Sequence, residues 1–215
     1  MRNVFLSFPA SFHATGSRII DRSLMYIYKS MFASCGKSVR FYPNKSDFLY
    51  KNISIGNDVS IGPGASFIAS VSHIYIGNKV IFGPNVTIRG GNHSTHIIGK
   101  FMGDYQESDK LTTDDDPVVI EDDVLVGTGV IILKGVHIAR GAIISPGAVV
   151  IHNVPPYAIV EGVPAKVIKF RWNVIDILKH ESLIYHVADR IPEETLIHQR
   201  LNNENHTVLR IVKRD

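Results

Sequence analysis

Apolar residues recur at every sixth position over much of this chain. Counting from Ile55, the first positions of successive hexads are Ile55, Ile61 and Phe67. After a three-residue insertion they are Ile76, Phe82 and Ile88, and after a long interruption Ile120, Val126, Ile132, Ile138, Ile144 and Val150. The fifth positions are Val59, Ala65, Val71, Val80, Val86, Asn92, Val124, Val130, Val136, Ala142, Ala148 and Val154, so eleven of twelve are Val or Ala. The exception is Asn92, and His93 follows it. A period of six is neither the helical period nor strand alternation. It suits a short strand followed by a tight corner, with three strands and three corners making a triangular coil of about 18 residues. Coils of this kind stack, and the first and fifth positions fill the interior in columns. The pattern predicts an all-β core built as a parallel β-helix. Glycine recurs right after the first positions, as in Gly56, Gly62, Gly77, Gly83 and Gly127, and nearer the corners, as in GPG at 62–64 and GVHIARG at 135–141, where it is expected to relieve unusual backbone angles.

The flanks read differently. Residues 17–34 carry Ile20, Leu24, Ile27, Tyr28 and Met31 at helical spacing, which predicts a helix against the first coil. Residues 35–54 read as an irregular first coil, with Cys35 and Val39 in hexad-like spacing. Cys35 reads as a small core residue, since no base lies close to it in sequence. Residues 94–117 are too long and too polar for a corner, and long excursions from a compact scaffold usually carry function or disorder. The three aspartates at 114–116 read as a solvated loop end before Pro117. Residues 173–190, with Ile175, Leu178, Leu183, Ile184 and Val187, predict a helix, and Pro192-Glu193-Glu194 resembles a second helix start. The closing VLRIVKRD suits a short strand or an ordered tail. The expected division is a helical segment over 1–34, the β-helix over 35–169 with its excursion at 94–117, and a mainly helical extension over 170–215.

Composition narrows the function. The chain has 215 residues, 45% of them hydrophobic and 20% charged, with a formal net charge of +3. Such a balance fits a globular protein and argues against a strongly basic nucleic-acid binder. One cysteine excludes an internal disulfide framework and suits a reducing compartment. The opening MRNVFLSFPASF makes a poor signal peptide, and no long uncharged apolar run predicts a membrane span. The expected location is cytoplasmic.

The hexads, the Asn92-His93 pair ahead of a long excursion, the run IEDDVLVGTGVIILKGVHIARGAIISPGAVV at 120–150 and VPPYAIVEGVPAKVIKF at 154–170 resemble the hexapeptide-repeat acyltransferases. Within them the likeness is to the xenobiotic and sugar O-acetyltransferase branch, including enzymes that acetylate surface polysaccharides or their precursors. It covers roughly residues 36–170. The chain departs from many members at Leu125, where they carry Trp, and at Ile151-His152, where they carry Thr-Lys.

The resemblance implies a left-handed β-helix, a homotrimer, acetyl-CoA as donor, and sites in clefts between subunits; the transfer chemistry itself requires no metal. It implies His93 as general base, with Asn92 and His96 orienting it or contacting the acceptor. It places Gly127, Thr128, Ser145 and Pro146 along the pantetheine groove, and Lys166 and Lys169 near the CoA phosphates. An alcohol is almost fully protonated at neutral pH, so a base must take its proton as it attacks the thioester. An imidazole suits that task. The expected reaction is direct acetyl transfer to a hydroxyl of a sugar or polysaccharide precursor. Other readings of the same fold are N-acyl transfer to serine, an antibiotic or an amino sugar, a non-catalytic structural β-helix, and a zinc enzyme of the γ-carbonic-anhydrase type. The last needs three histidine ligands, and His73 and His93 are candidates, but the usual five-residue histidine spacing is absent.

Overall fold

The computed structural model describes residues 20–201. The opening MRNVFLSFPASF and the closing VLRIVKRD lie outside them.

Within that range the chain winds through three sheets in turn. The first holds Ser34–Cys35, Ile53–Ile55, Ile74–Ile76, Val118–Ile120 and His137–Ile138. The second holds Ser60–Ile61, Ile81–Phe82, Leu125–Val126, Ile143–Ile144, Ala158–Glu161 and Lys166–Phe170. The third holds Asp47–Phe48, Ser66–Ile68, Thr87–Arg89, Ile131–Ile132 and Val149–Val150. Consecutive strands fall in different sheets, and each pairs in parallel with the strands one coil before and after. The exception is the antiparallel pair of Ala158–Glu161 with Lys166–Phe170. This is a β-helix-type arrangement of parallel sheets.

The register follows the hexads. Ile55 pairs with Ile76, Ile76 with Ile120, and Ile120 with Ile138. The corresponding columns run Ile61, Phe82, Val126, Ile144 and Phe67, Ile88, Ile132, Val150. All twelve first positions are buried. A strand of two or three residues cannot hold its place alone, but an interior filled on three sides fixes it, because a one-residue slip would turn every Ile outward.

The two groups of glycine do different work. Glycines just after the first positions do not take positive φ. They are needed because successive coils approach closely: a Cβ on Gly127 would lie 2.6 Å from the Pro146 nitrogen. The left-handed backbone falls two residues later, at the fourth hexad position, on Gly64, Gly129, Gly135, Gly141 and Gly147, and on Asp58, Lys79, Asn85 and Asp123 in the other corners. Left-handed geometry is cheapest for glycine and next for Asn or Asp.

One fifth-position residue contradicts its expected place. Val71 is 63% exposed, whereas Ala69 is fully buried. The three extra residues before Ile74 let the chain turn inward early at Ala69 and then bow outward.

Both ends of the stack are covered. A helix over 20–29 leads to Phe32, which meets Phe41 at 5.4 Å, and Phe48 meets Phe67 at 5.3 Å. The rings fill the first coil's end. Met25 and Tyr28 pack on the core, but Ile20, Ile27 and Met31 are exposed. Cys35 is half-buried against the same core, and burial pushes its thiol pKa up. At the far end the helix Val174–Ile184 is capped by Asn173, whose side chain accepts from the Asp176 N–H at 2.8 Å. It buries Ile177 against Tyr157 and Leu196, the latter on a helix over 193–201. Of the apolar residues that predicted this helix, Leu178 packs inward, whereas Ile175, Leu183, Ile184 and Val187 are exposed. Glu181 is fully buried there. It accepts from the Tyr157 hydroxyl at 2.5 Å and the Ile191 N–H at 3.1 Å, and it faces Arg140 at 3.4 Å. Desolvation by burial, followed by this hydrogen bond, pushes the Tyr157 pKa far up.

Candidate functional site

The corner leading from the third sheet to the first is where the coil opens. In the lower coils Val136 and Val154 fill it. In the two upper coils Val71 and Asn92 stand at the same hexad position, and both are exposed. The short bow at 69–73 and the long excursion therefore leave from adjacent floors of one corner. Between them lies a cleft of about 890 Å³, lined by Val71, Arg89, Asn92, His93, Tyr105 and Lys134 among others.

The neck of the excursion is clamped. Gly91 and Asp115 form an antiparallel bridge, the Asn92 N–H donates to the Asp114 carbonyl at 2.8 Å, and the Asp116 N–H donates to the Gly90 carbonyl at 3.1 Å. Ser94 is buried, and its hydroxyl donates to the Asp114 carboxylate, which also accepts from the Leu111 N–H at 2.9 Å. These bonds, the Ser94 one first, hold the Asp114 pKa below the usual carboxylate range. Asp115 pairs with Lys110 at 2.7 Å, and Lys134 stands 3.8 Å from Asp116. The hydrogen bond to Asp115 raises the Lys110 pKa, against the smaller opposing effect of burial. The aspartate triplet expected to be a solvated loop end is thus the fastening of the excursion to the coil.

His93 sits just past this clamp with its side chain exposed, and its own N–H donates to the Asn92 side-chain oxygen at 2.9 Å. Asn92 therefore shapes the backbone that carries His93. His96 does not line the cleft; its ring is edge-on to Tyr105 at 6.0 Å. The Tyr105 hydroxyl bonds to the Ile97 backbone and folds the start of the excursion back on itself.

The expected donor residues stand elsewhere on the chain. Thr128 and Pro146 occupy successive floors of the corner between the second and third sheets, and both are exposed. Much of their backbone is already used by the stack: the Thr128 carbonyl accepts from Gly147 N–H at 2.9 Å, and Ser145 N–H donates to Val160 at 2.8 Å. Lys166 and Lys169 are exposed on the antiparallel edge strand. None of the six expected donor residues, Gly127 included, lines the His93 cleft. Within one chain, base and donor candidates occupy different corners.

His73, named with His93 for a metal, bonds instead to the Ser54 hydroxyl at 2.8 Å and stacks on Tyr75, with burial lowering its pKa. Among the described residues no three His, Cys, Asp or Glu side chains come together as a metal site. No helix among them is long and apolar enough to cross a membrane. Reading the sequence missed Arg89, Tyr105, Lys110 and Lys134. For Arg89 a signal existed: it is the one charged residue in a column of aliphatic ones.

Comparison with known proteins agrees with this architecture. Residues 117–152 match the bacterial transferase hexapeptide (six repeats) family. No curated protein sequence matches the chain. Among solved structures, a hexapeptide-repeat acetyltransferase of Vibrio cholerae O1 biovar eltor, in complex with acetyl coenzyme A, is 27% identical, with a TM-score of 0.60 over 71% of this chain and 79% of that one. A maltose O-acetyltransferase of Clostridium difficile, at 24% identity and a TM-score of 0.55 over 78% and 89% of the two chains, shares the fold. So does a galactoside acetyltransferase solved with coenzyme A, at 22% and 0.58 over 83% and 89%. The hexads, the coil register and these matches bear out the resemblance to the hexapeptide-repeat acyltransferases.

Proposed function

We propose that this protein is an acetyl-CoA-dependent O-acetyltransferase acting on a sugar or polysaccharide precursor, with His93 as general base. The carrying observation is that the interior column is given up at two adjacent floors of one corner, and that the cleft so made presents His93 on a clamped backbone. An exception to a strong local pattern is expected where function overrides packing. The Vibrio cholerae relative, solved with acetyl coenzyme A, supports the donor.

In this reading the coils are left-handed and the protein is a homotrimer. The separation of the His93 corner from the Thr128–Pro146 corner supports an intersubunit site: a second copy brings its donor corner to the first copy's cleft. Gly127, Thr128, Ser145 and Pro146 then flank the pantetheine arm, and the exposed Lys166 and Lys169 meet the phosphates. Acetyl-CoA supplies the activated acyl group. His93 takes the proton from the acceptor hydroxyl as that oxygen attacks the thioester carbonyl, and the thiol leaves as the ester forms. Asn92 holds the loop that carries the base, and His96 belongs to the acceptor side.

The test is thiol release from acetyl-CoA with a panel of sugar acceptors. His93→Ala should retain the wild-type melting curve and lose roughly 10²- to 10⁴-fold in turnover, the usual worth of a positioned base. Near-normal turnover would remove His93 from the mechanism.

A further inference from the structure

The residue following the third-sheet first positions forms a vertical column. It reads Leu49, Ile68, Arg89, Leu133, Ile151. The strand register pairs Ile68 with Arg89 directly, and Ile88 with Ile132 on the floor below. Four floors are aliphatic and one carries a guanidinium, and that floor is the one from which the His93 excursion departs. Arg89 is half-buried and lines the cleft together with His93.

The other two cations of the cleft are already matched. Lys110 faces Asp115 and Glu107, and Lys134 faces Asp116. Arg89 has no carboxylate within ion-pair distance among the described residues. One terminal nitrogen donates to the Ser66 carbonyl and hydroxyl, each at 3.1 Å, and to the Ile88 carbonyl at 3.2 Å. Those neutral oxygens anchor the fork and leave its second terminal nitrogen and Nε without an acceptor among the described residues. A half-buried guanidinium held on one edge and open on the other is suited to grip a planar or tetrahedral anion with two parallel N–H donors.

We propose that Arg89 selects an anionic acceptor: the sugar that His93 deprotonates carries a carboxylate or phosphate, and Arg89 binds it. The inference rests on the acetyltransferase reading and narrows its substrate class. Arg89 is a binding residue for the acceptor, distinct from the donor-binding corner.

The experiment compares three acceptor sets at saturating acetyl-CoA: uronic-acid sugars, sugar phosphates, and their neutral counterparts. Wild-type kcat/KM should favour one charged set over the neutral set by about tenfold or more, and the preferred set identifies the anion. Arg89→Gln should raise KM for that set by about ten- to a hundredfold, the scale of a charge-assisted hydrogen bond. It should do so with far less effect on the neutral set and on the KM for acetyl-CoA. Arg89→Lys should recover part of the loss. Equal kcat/KM for charged and neutral acceptors, or an Arg89→Gln defect seen in acetyl-CoA KM alone, overturns the proposal. If no acceptor releases thiol, the acetyltransferase reading has failed, and calorimetric titration with the same charged sugars still decides this one. Binding that weakens in a folded Arg89→Gln variant upholds an anion site, and no binding to wild type removes it.

Discussion

The corner between the third and first sheets occurs in two forms in this molecule. At Val136 and Val154 it is closed: the fifth hexad position points inward and is buried. At Val71 and Asn92 it is open, though the strands before it, Ser66–Ile68 and Thr87–Arg89, keep the same register as those below. The contrast teaches that first positions define the coil and the fifth position of a single corner is dispensable. Parallel hydrogen bonds and three buried columns hold the strand on either side, so one corner can be released without loosening the stack. What is released becomes a cleft with a floor of ordinary coil, and a polar loop clamped over it.

This comparison can be broken most sharply by placing the same charge at both forms of the corner. Val136→Asp buries an uncompensated carboxylate and should cost more than about 4 kcal/mol, abolishing a cooperative melt near the wild-type temperature. Val71→Asp should stay within about 0.5 kcal/mol of wild type, as exposed substitutions do. Similar melting curves for the two variants would show that the corners are not different in kind. A smaller effect is expected at the far end of the stack. Glu181→Ala leaves the Tyr157 hydroxyl, the Ile191 N–H and Arg140 without their shared acceptor, and should destabilise by about 1–3 kcal/mol, read from denaturant midpoints.

The smallest effect is local. Asp114 has a depressed pKa in the folded chain, so its clamp contributes fully above the ordinary aspartate value of about 3.9. That contribution falls away as pH drops through the lowered folded value. Hydrogen exchange at the neck amides, taken relative to the intrinsic amide rate at each pH, should therefore stay slow at neutral pH and quicken only in acid. Ser94→Ala should raise the Asp114 pKa and move that quickening to higher pH. An exchange profile independent of pH and of Ser94 would remove the clamp.

Much of this was legible before any coordinates. Twelve first positions announced three buried columns, and Asn92 announced the break. Val71 misled because its residue type satisfied the pattern; only the inward turn at Ala69 shows that three extra residues had displaced it. The aspartates at 114–116 looked like solvent-facing charge because their partners, Ser94, Lys110 and Gly90, are reached only after the excursion doubles back. The two groups of glycine were separate in sequence and the corner group does take left-handed backbone, but only the structure shows that the other group answers to the 2.6 Å approach of the next coil. Arg89 was visible as a departure from an aliphatic column, but a lone arginine in a sequence has no address until its neighbours are known.

The repeat by itself determined the coil, its interior and the place where it breaks, because a buried column tolerates only apolar side chains and so writes its period into the chain. Tertiary structure alone decided which charges are matched and which is left open. Ion pairing and clefts depend on residues far apart in sequence, and no local periodicity constrains them. For the same reason it alone set His93 and Arg89 in one cleft and the donor candidates at another corner.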